Sequence, residues 1–198
     1  MIKKNYWNHE TAEIQKGAKI GKGTKIWHNT QILKGAKIGK NCIIGRNSFI
    51  DNKTNLGNGI KIGSNVDVFA LVSMEDHVFV GAGVVFTNDI NPRAKYPKAK
   101  YPKYGRWLPT LIKEGATIGA NATVLCGNKI GKWAMVGAGA VVTKDVPDLA
   151  VVVGVPAKQI GWICECGNKI IFEGNKSVCK ICKRKYYKKG ENKVFRSK

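Results

Sequence analysis

The stretch Ile14-Gln15-Lys16-Gly17-Ala18-Lys19-Ile20-Gly21-Lys22-Gly23-Thr24-Lys25-Ile26 places isoleucine at every sixth position. The beat continues through Ile32, Ile38, Ile44, Ile50, Leu56, Ile62, Val68, Met74 and Val80 to Phe86 without a miss, and resumes at Ile112, Ile118, Val124, Ile130, Val136 and Val142. A period of six fits neither the 3.6-residue helix nor a free strand of period two. It is an internal repeat, which decides the architecture before any local propensity does.

The neighbours of each apolar residue explain the period. One position later stands Gly in many repeats, as at Gly21, Gly39, Gly45, Gly57, Gly63 and Gly81. Three later comes Gly or Asn, as at Gly23, Asn29, Gly35, Asn41, Asn47 and Asn65, residues that tolerate positive φ at a turn. Four later comes a small or β-branched residue such as Ala18, Thr24, Thr30, Ala36, Cys42 or Val66, suited to a cramped inner corner. Each hexapeptide is therefore one face of a triangular coil. Three make a rung of 18 residues, rungs stack about 4.8 Å apart through parallel β hydrogen bonds, and the series predicts an all-β parallel helix of about six rungs.

The series breaks once. From Phe86 to Ile112 the chain takes 26 residues where six would serve, an inserted loop over about 88–110. It carries Asn91-Pro92-Arg93 and the basic aromatic duplication Lys95-Tyr96-Pro97-Lys98 and Lys100-Tyr101-Pro102-Lys103. A long excursion from a regular coil reads as functional, with a tolerated surface insertion as the alternative.

Charge is lopsided, with 34 Lys plus Arg against 13 Asp plus Glu, a formal +21. That balance suits phosphate-rich ligands or polyanions, or equally a lysine-coated soluble surface. No apolar run reaches the length of a membrane span, and Met1 to Glu10 does not read as a secretory signal, so a cytoplasmic chain is expected.

Taken together, Ile26-Trp27-His28, Phe86-Thr87-Asn88, Asn91-Pro92-Arg93, Gly115-Ala116-Thr117-Ile118-Gly119-Ala120-Asn121 and Val136-Gly137-Ala138-Gly139-Ala140-Val141-Val142-Thr143-Lys144-Asp145-Val146-Pro147 resemble the hexapeptide-repeat N-acetyltransferases of nucleotide-linked 3-amino sugars. The nearest type acts on UDP-2-acetamido-3-amino-2,3-dideoxy-glucuronate, and close relatives on dTDP-3-amino-3,6-dideoxyhexoses, in surface polysaccharide or lipopolysaccharide biosynthesis. The likeness covers about residues 8–163. It implies a left-handed coil, a homotrimer with the site between subunits, acetyl-CoA as donor and a nucleotide-linked amino sugar as acceptor.

The resemblance also implies roles. Asn88, where the coil breaks, would hold the sugar amine; His28 is the competing histidine base. Trp27, Asn91 and Arg93 would contact substrate, with a loop-fixing salt bridge as the alternative for Arg93. The acetyl-CoA arm would meet Ala138, Thr143, Lys144 and the turn carrying Val155, Pro156 and Lys158. His77, in a turn slot, reads as structural.

The repeat region, 1–163, is followed by an appendage, 164–198, holding Cys164-Glu165-Cys166 and Cys179-Lys180-Ile181-Cys182. Two close cysteine pairs fit a zinc-ribbon-like site with four thiolate ligands, and so small a piece needs such a staple. Free thiols or a disulfide are the alternatives. The basic run Lys183-Arg184-Lys185-Tyr186-Tyr187-Lys188-Lys189 admits a reading of another class, a trimeric scaffold with a nucleic-acid-binding module. A cap with a solvated basic tail is the favoured reading, and nucleic acid is not an expected partner.

Overall fold

The computed structural model describes residues 5–96, 105–190 and 193–197, and among these every regular element is a strand. The six-residue beat produces two-residue strands separated by turns. Lys25–Ile26 lies on the first face, Gln31–Ile32 on the second and Lys37–Ile38 on the third, and the next turn of chain repeats them. Registers such as Lys25↔Ile43, Gln31↔Phe49 and Lys37↔Asn55 stack each face in parallel on its predecessor. The result is a three-faced parallel β-solenoid whose faces contribute to sheets of 10, 7 and 6 strands.

The coil begins one hexapeptide earlier than the apolar series shows. Trp7–Asn8 pairs with Lys25–Ile26 although Asn8, which holds the series position, is polar. At the other end Val146 bridges to Ile130, so a partial turn follows the six that carry strands on all three faces.

Inside, the series residues and the corner residues four positions later fill the core. Ile26, Ile32, Ile44, Ile50, Val66, Val68 and Val80 are fully buried. Polar corner residues are buried with their hydroxyls satisfied across the turn. Thr24 Oγ1 donates to the Gly39 carbonyl at 2.8 Å, Thr30 Oγ1 to Gly45 at 2.9 Å and Ser48 Oγ to Gly63 at 3.2 Å. The turn slot has positive φ even where it lacks Gly or Asn: Lys53, Leu71, His77 and Trp133 all lie between φ 56° and 72°. The reading of His77 as a turn residue is consistent with this geometry.

The C-terminal part is built onto the coil. The strand Ala150–Val153 extends the first face, and Lys158–Ile163 and then Lys169–Ile170 pair antiparallel beside it, so one sheet runs through residue 163. Beyond it Lys176–Val178, Lys185–Lys188 and Val194–Arg196 form a three-stranded antiparallel sheet. This corrects the reading of the basic run as a tail. Residues 185–188 are the middle strand of that sheet, with Tyr186 buried and Tyr187 exposed against Phe195.

Close stacking explains the glycine one position after the series residue. A Cβ on Gly63 would lie 2.5 Å from the Ala82 backbone nitrogen in the next turn, whereas one on Gly139 would meet nothing within 4 Å. Gly63→Val should therefore destabilise by about 3 kcal/mol or more, since neighbouring backbone must move. Gly139→Ala should cost only the positive-φ penalty of about 1–2 kcal/mol. Denaturant unfolding at fixed protein concentration measures both; equal losses would refute the stacking explanation.

Candidate functional site

The excursion leaves the coil after Val85–Phe86 and returns at Thr110–Ile112. Its two ends pair with each other. The Leu108 N–H donates to the Asn88 carbonyl at 3.0 Å, the Ile90 N–H to Arg106 at 3.2 Å, and Asp89 bridges antiparallel to Trp107. Below this stem the Cys126 N–H donates to Thr87 Oγ1 at 3.0 Å, fixing the loop's origin to the next turn. Asn88 is thus held half-buried between coil and loop, with its backbone committed and no side-chain hydrogen bond assigned to its amide. Asn91 N–H caps the Asp89 carboxylate at 2.9 Å, and the exposed Arg93 guanidinium reaches only the neighbouring Pro92 carbonyl, at 2.8 Å. No acid pairs with Arg93 among the described residues. The duplicated Lys-Tyr-Pro-Lys segment lies, from Pro97 to Tyr104, outside the described residues.

Two turns above Asn88, along the same corner, stand the exposed Thr143 and Lys144, since Val85–Phe86 stacks under Thr123–Val124 and that under Val141–Val142. The turn with Val155 and Pro156 folds over the second face there. Ala157 N–H donates to the Val141 carbonyl at 2.8 Å, and Val141 N–H to Gly154 at 3.0 Å. Ala138 lies exposed at the neighbouring corner of the same turn of chain, and Lys158 begins the antiparallel strand. The predicted donor-binding residues therefore cluster at one end of the coil.

His28 is elsewhere. It sits on the turn of Lys25–Ile26, three stacking steps below Phe79–Val80, on whose turn Asn88 lies, and at a different corner. At about 4.8 Å per turn that is about 14 Å along the axis. Within one chain the structure does not bring His28 to Asn88. Instead His28 joins an aromatic cluster. Its ring lies 4.7 Å from His9 and 5.9 Å from Trp27, and Trp27 meets Trp7 edge-on at 5.5 Å. Trp7 is 46% and Trp27 41% exposed. His28 Nδ1 is buried without a hydrogen-bond partner, a state that costs about 1–3 kcal/mol. The sequence reading missed Trp7 and His9 because the apolar series begins only at Ile14.

The four C-terminal cysteines converge. Their Sγ atoms all lie within 4.8 Å of one another, with Cys164 and Cys182 at 3.4 Å and Cys166 and Cys179 at 3.6 Å. These separations far exceed a disulfide bond of about 2.05 Å. They approach the edge of a sulfur tetrahedron built on metal–sulfur bonds of about 2.3 Å, and the donor set fits zinc. Backbone N–H groups, first that of Cys182, hold the Cys179 thiol down to about 6, and the Arg184 N–H lowers Cys182. Burial pushes Cys164 up to about 12, beside the Tyr186 hydroxyl at 3.0 Å. Glu165 draws in both Arg184 at 3.4 Å and Arg196 at 3.1 Å.

Comparison with known proteins bears on this arrangement. The bacterial transferase hexapeptide (six repeats) matches residues 17–52, and the hexapeptide repeat of succinyl-transferase matches 35–70 and 109–144. A dTDP-3-amino-3,6-dideoxy-alpha-D-galactopyranose 3-N-acetyltransferase from Aneurinibacillus thermoaerophilus is 49% identical over 81 residues, 41% of this chain and 42% of that protein. A 2,3,4,5-tetrahydropyridine-2,6-dicarboxylate N-acetyltransferase from Staphylococcus aureus is 46% identical over 84 residues, 42% of this chain and 30% of that protein. The aligned segments thus span less than half of these relatives. Among solved structures, AntD, an N-acyltransferase from Bacillus cereus in complex with dTDP-4-amino-4,6-dideoxyglucose and Coenzyme A, shares the fold. It has a TM-score of 0.50 and 18% identity, over 79% of this chain and 83% of that one.

Proposed function

We propose that this chain is an acetyl-CoA-dependent N-acetyltransferase acting on the amino group of a nucleotide-linked amino sugar, in the biosynthesis of surface polysaccharide or a related glycan. The observation that carries the reading is the 49% identity over 81 residues to a dTDP-3-amino sugar N-acetyltransferase. The loop that opens from the solenoid at Asn88 gives that reading a reacting centre. A dTDP-3-amino-3,6-dideoxyhexose has the more direct support from this relative. The UDP-2-acetamido-3-amino-2,3-dideoxy-glucuronate acceptor rests on the motif resemblance alone.

In this reading the amine nitrogen attacks the thioester carbonyl, the N–C bond forms, the C–S bond breaks and coenzyme A leaves as its thiolate. The proton lost by nitrogen goes to that thiolate or to water. Asn88 accepts a hydrogen bond from the amine through its amide oxygen and aims the lone pair; an amide takes no proton at neutral pH. Orientation of two bound substrates supplies the rate. Thr143, Lys144, Ala138 and the turn carrying Val155, Pro156 and Lys158 hold the coenzyme, and Arg93 and Asn91 meet the sugar nucleotide from the loop. Asn88→Ala should lower kcat by about 10²-fold or more with assembly intact by light scattering; near-normal turnover would remove Asn88 from the mechanism.

The same reading makes the chain a left-handed coil in a homotrimer. Its support is the contrast between faces. The first and second present Ile43, Phe79, Met135, Phe49, Val85 and Val141 outward, whereas the third presents Lys19, Lys37, Asn55, Ser73 and Lys129. Phe79 and Val85 are 45% and 49% exposed in one chain, apolar surface that a subunit interface would cover. Light scattering should give three times the 21.7 kDa chain mass, and Phe79→Lys should shift it toward monomer. A monomeric wild type would refute the trimer.

The appendage, 164–198, is assigned as a zinc-stapled cap on the coil's end. Cys164, Cys166, Cys179 and Cys182 would hold one ion, whose contribution is structural, because four thiolates leave no open coordination position. Pairing of Arg184 and Arg196 with Glu165 removes both arginines from a nucleic-acid surface. Metal analysis should find one zinc per chain, abolished in Cys179→Ser, and chelation should lower the melting temperature. Full stability and no bound metal in the reduced wild type would overturn the assignment.

A further inference from the structure

The aromatic cluster at the low end of the coil has no task in acetyl transfer itself, yet its features point to a ligand. Two tryptophans on successive turns, Trp7 and Trp27, leave nearly half their surfaces exposed beside each other. Against Trp27 lies His28, whose Nδ1 is buried and unpaired, although the neighbouring His9 Nδ1 is matched to Thr11 Oγ1 at 3.0 Å. One turn higher on the same corner, Arg46 is exposed, and no acidic partner is assigned to it among the described residues. Above Arg46 the corner becomes a column of small residues, Ser64, Ala82, Ala120 and Ala138.

We propose that Trp7, Trp27, His28 and Arg46 form the nucleoside diphosphate subsite of the acceptor, with the base on the indoles and the phosphates at Arg46. The inference rests on the acetyltransferase reading and assigns the part of that site farthest from the chemistry. Exposed indoles offer faces on which a base of any sequence stacks. A neutral imidazole nitrogen, donor or acceptor by tautomer, matches the polar edge of a base. A guanidinium fork matches a diphosphate.

The spacing agrees. In a trimer whose three-fold axis runs along the coil, symmetry moves residues around the axis and not along it. His28 and Asn88 therefore keep their separation of about 14 Å along the axis whichever subunits supply them. A sugar nucleotide extended along the groove bridges such a span, with its base low and its amino sugar at the loop. The coenzyme then enters from the opposite end, where Thr143 and Lys144 stand two turns above Asn88. His28 is thereby a binding residue, too far from the amine to act as its base.

The test is calorimetric titration of the full-length protein with UDP, dTDP, GDP and uridine in the absence of acetyl-CoA, alongside steady-state kinetics with a nucleotide amino sugar. Trp27→Ala and Arg46→Gln should each raise the nucleoside diphosphate Kd by about tenfold. The kinetic loss should fall on KM for the sugar nucleotide, with KM for acetyl-CoA unmoved. Trp27→Phe should recover most of the affinity, and Arg46→Gln should leave uridine binding as in the wild type. Wild-type Kd and KM values in Trp27→Ala and Arg46→Gln would overturn the subsite while leaving the acetyltransferase reading standing. A protein that binds UDP or dTDP through Trp27 and Arg46 but acetylates no nucleotide amino sugar would overturn the function and keep the subsite. Absence of any nucleoside diphosphate binding by the wild type would also overturn the subsite.

Discussion

Every turn of this chain hangs on the next by parallel backbone hydrogen bonds, such as Lys25 N–H to the Cys42 carbonyl at 2.8 Å and Trp27 N–H to Ile44 at 3.0 Å. The same pattern recurs up to Gly137 N–H and the Val152 carbonyl at 2.8 Å. That bond fixes the register, and the register converts position in the sequence into height along an axis. Residues one turn apart become neighbours in a column, so each column acquires its own chemical character. Where backbones approach most closely the column is glycine, because a Cβ at Gly45 would fall 2.5 Å from the Gly63 carbonyl carbon. Where the column turns inward it is small, apolar or a hydroxyl that satisfies a carbonyl of its neighbour.

A solenoid has two ends with nothing above or below, and both departures from the repeat answer that need. At the start, the first turn's Ala12, Ile14, Ala18 and Ile20 are only partly buried, and Tyr6 packs against them. At the finish, Trp162, Cys164, Ile170, Tyr186 and Val194 join the same continuous core as Val142 and Leu149. The appendage so closes the last turn with apolar side chains, and Glu165 clasps it through Arg184 and Arg196.

Legibility in the sequence followed the register. Interior columns are dictated by packing, so Ile14 to Phe86 announces the coil, and a loss of beat between Phe86 and Ile112 announces the loop. What escaped was set by something other than the repeat. Asn8 occupies a series position with a polar residue at an open end, where no core demands an apolar one, and this hid the first turn with Trp7 and His9. The stem of the loop is made by backbone groups of Asn88, Ile90, Arg106 and Leu108, which any side chains could supply. The strand Lys185–Lys188 looked like a charge run because only Tyr186 of its residues is buried, and a single aromatic carries little period. Cysteine spacing, by contrast, is a covalent-scale constraint, and the convergence of four sulfurs within 4.8 Å follows it directly.

The conversion of sequence into height also limits mechanism. A rotation about the coil axis can bring together residues from different faces, but only those on nearby turns. Asn88 on the fifth strand of its face and Lys144 just beyond the seventh share one corner, whereas His28 belongs to the second turn. A catalytic dyad of Asn88 and His28 is therefore excluded for any assembly built around that axis. The proposed chemistry does not require one. A thioester releases a thiolate that is itself a proton acceptor, so the protein's task reduces to aligning an amine with a carbonyl. A rigid stack is suited to that task because its register fixes axial position to fractions of an ångström, while the specificity for what carries the amine is set several turns away.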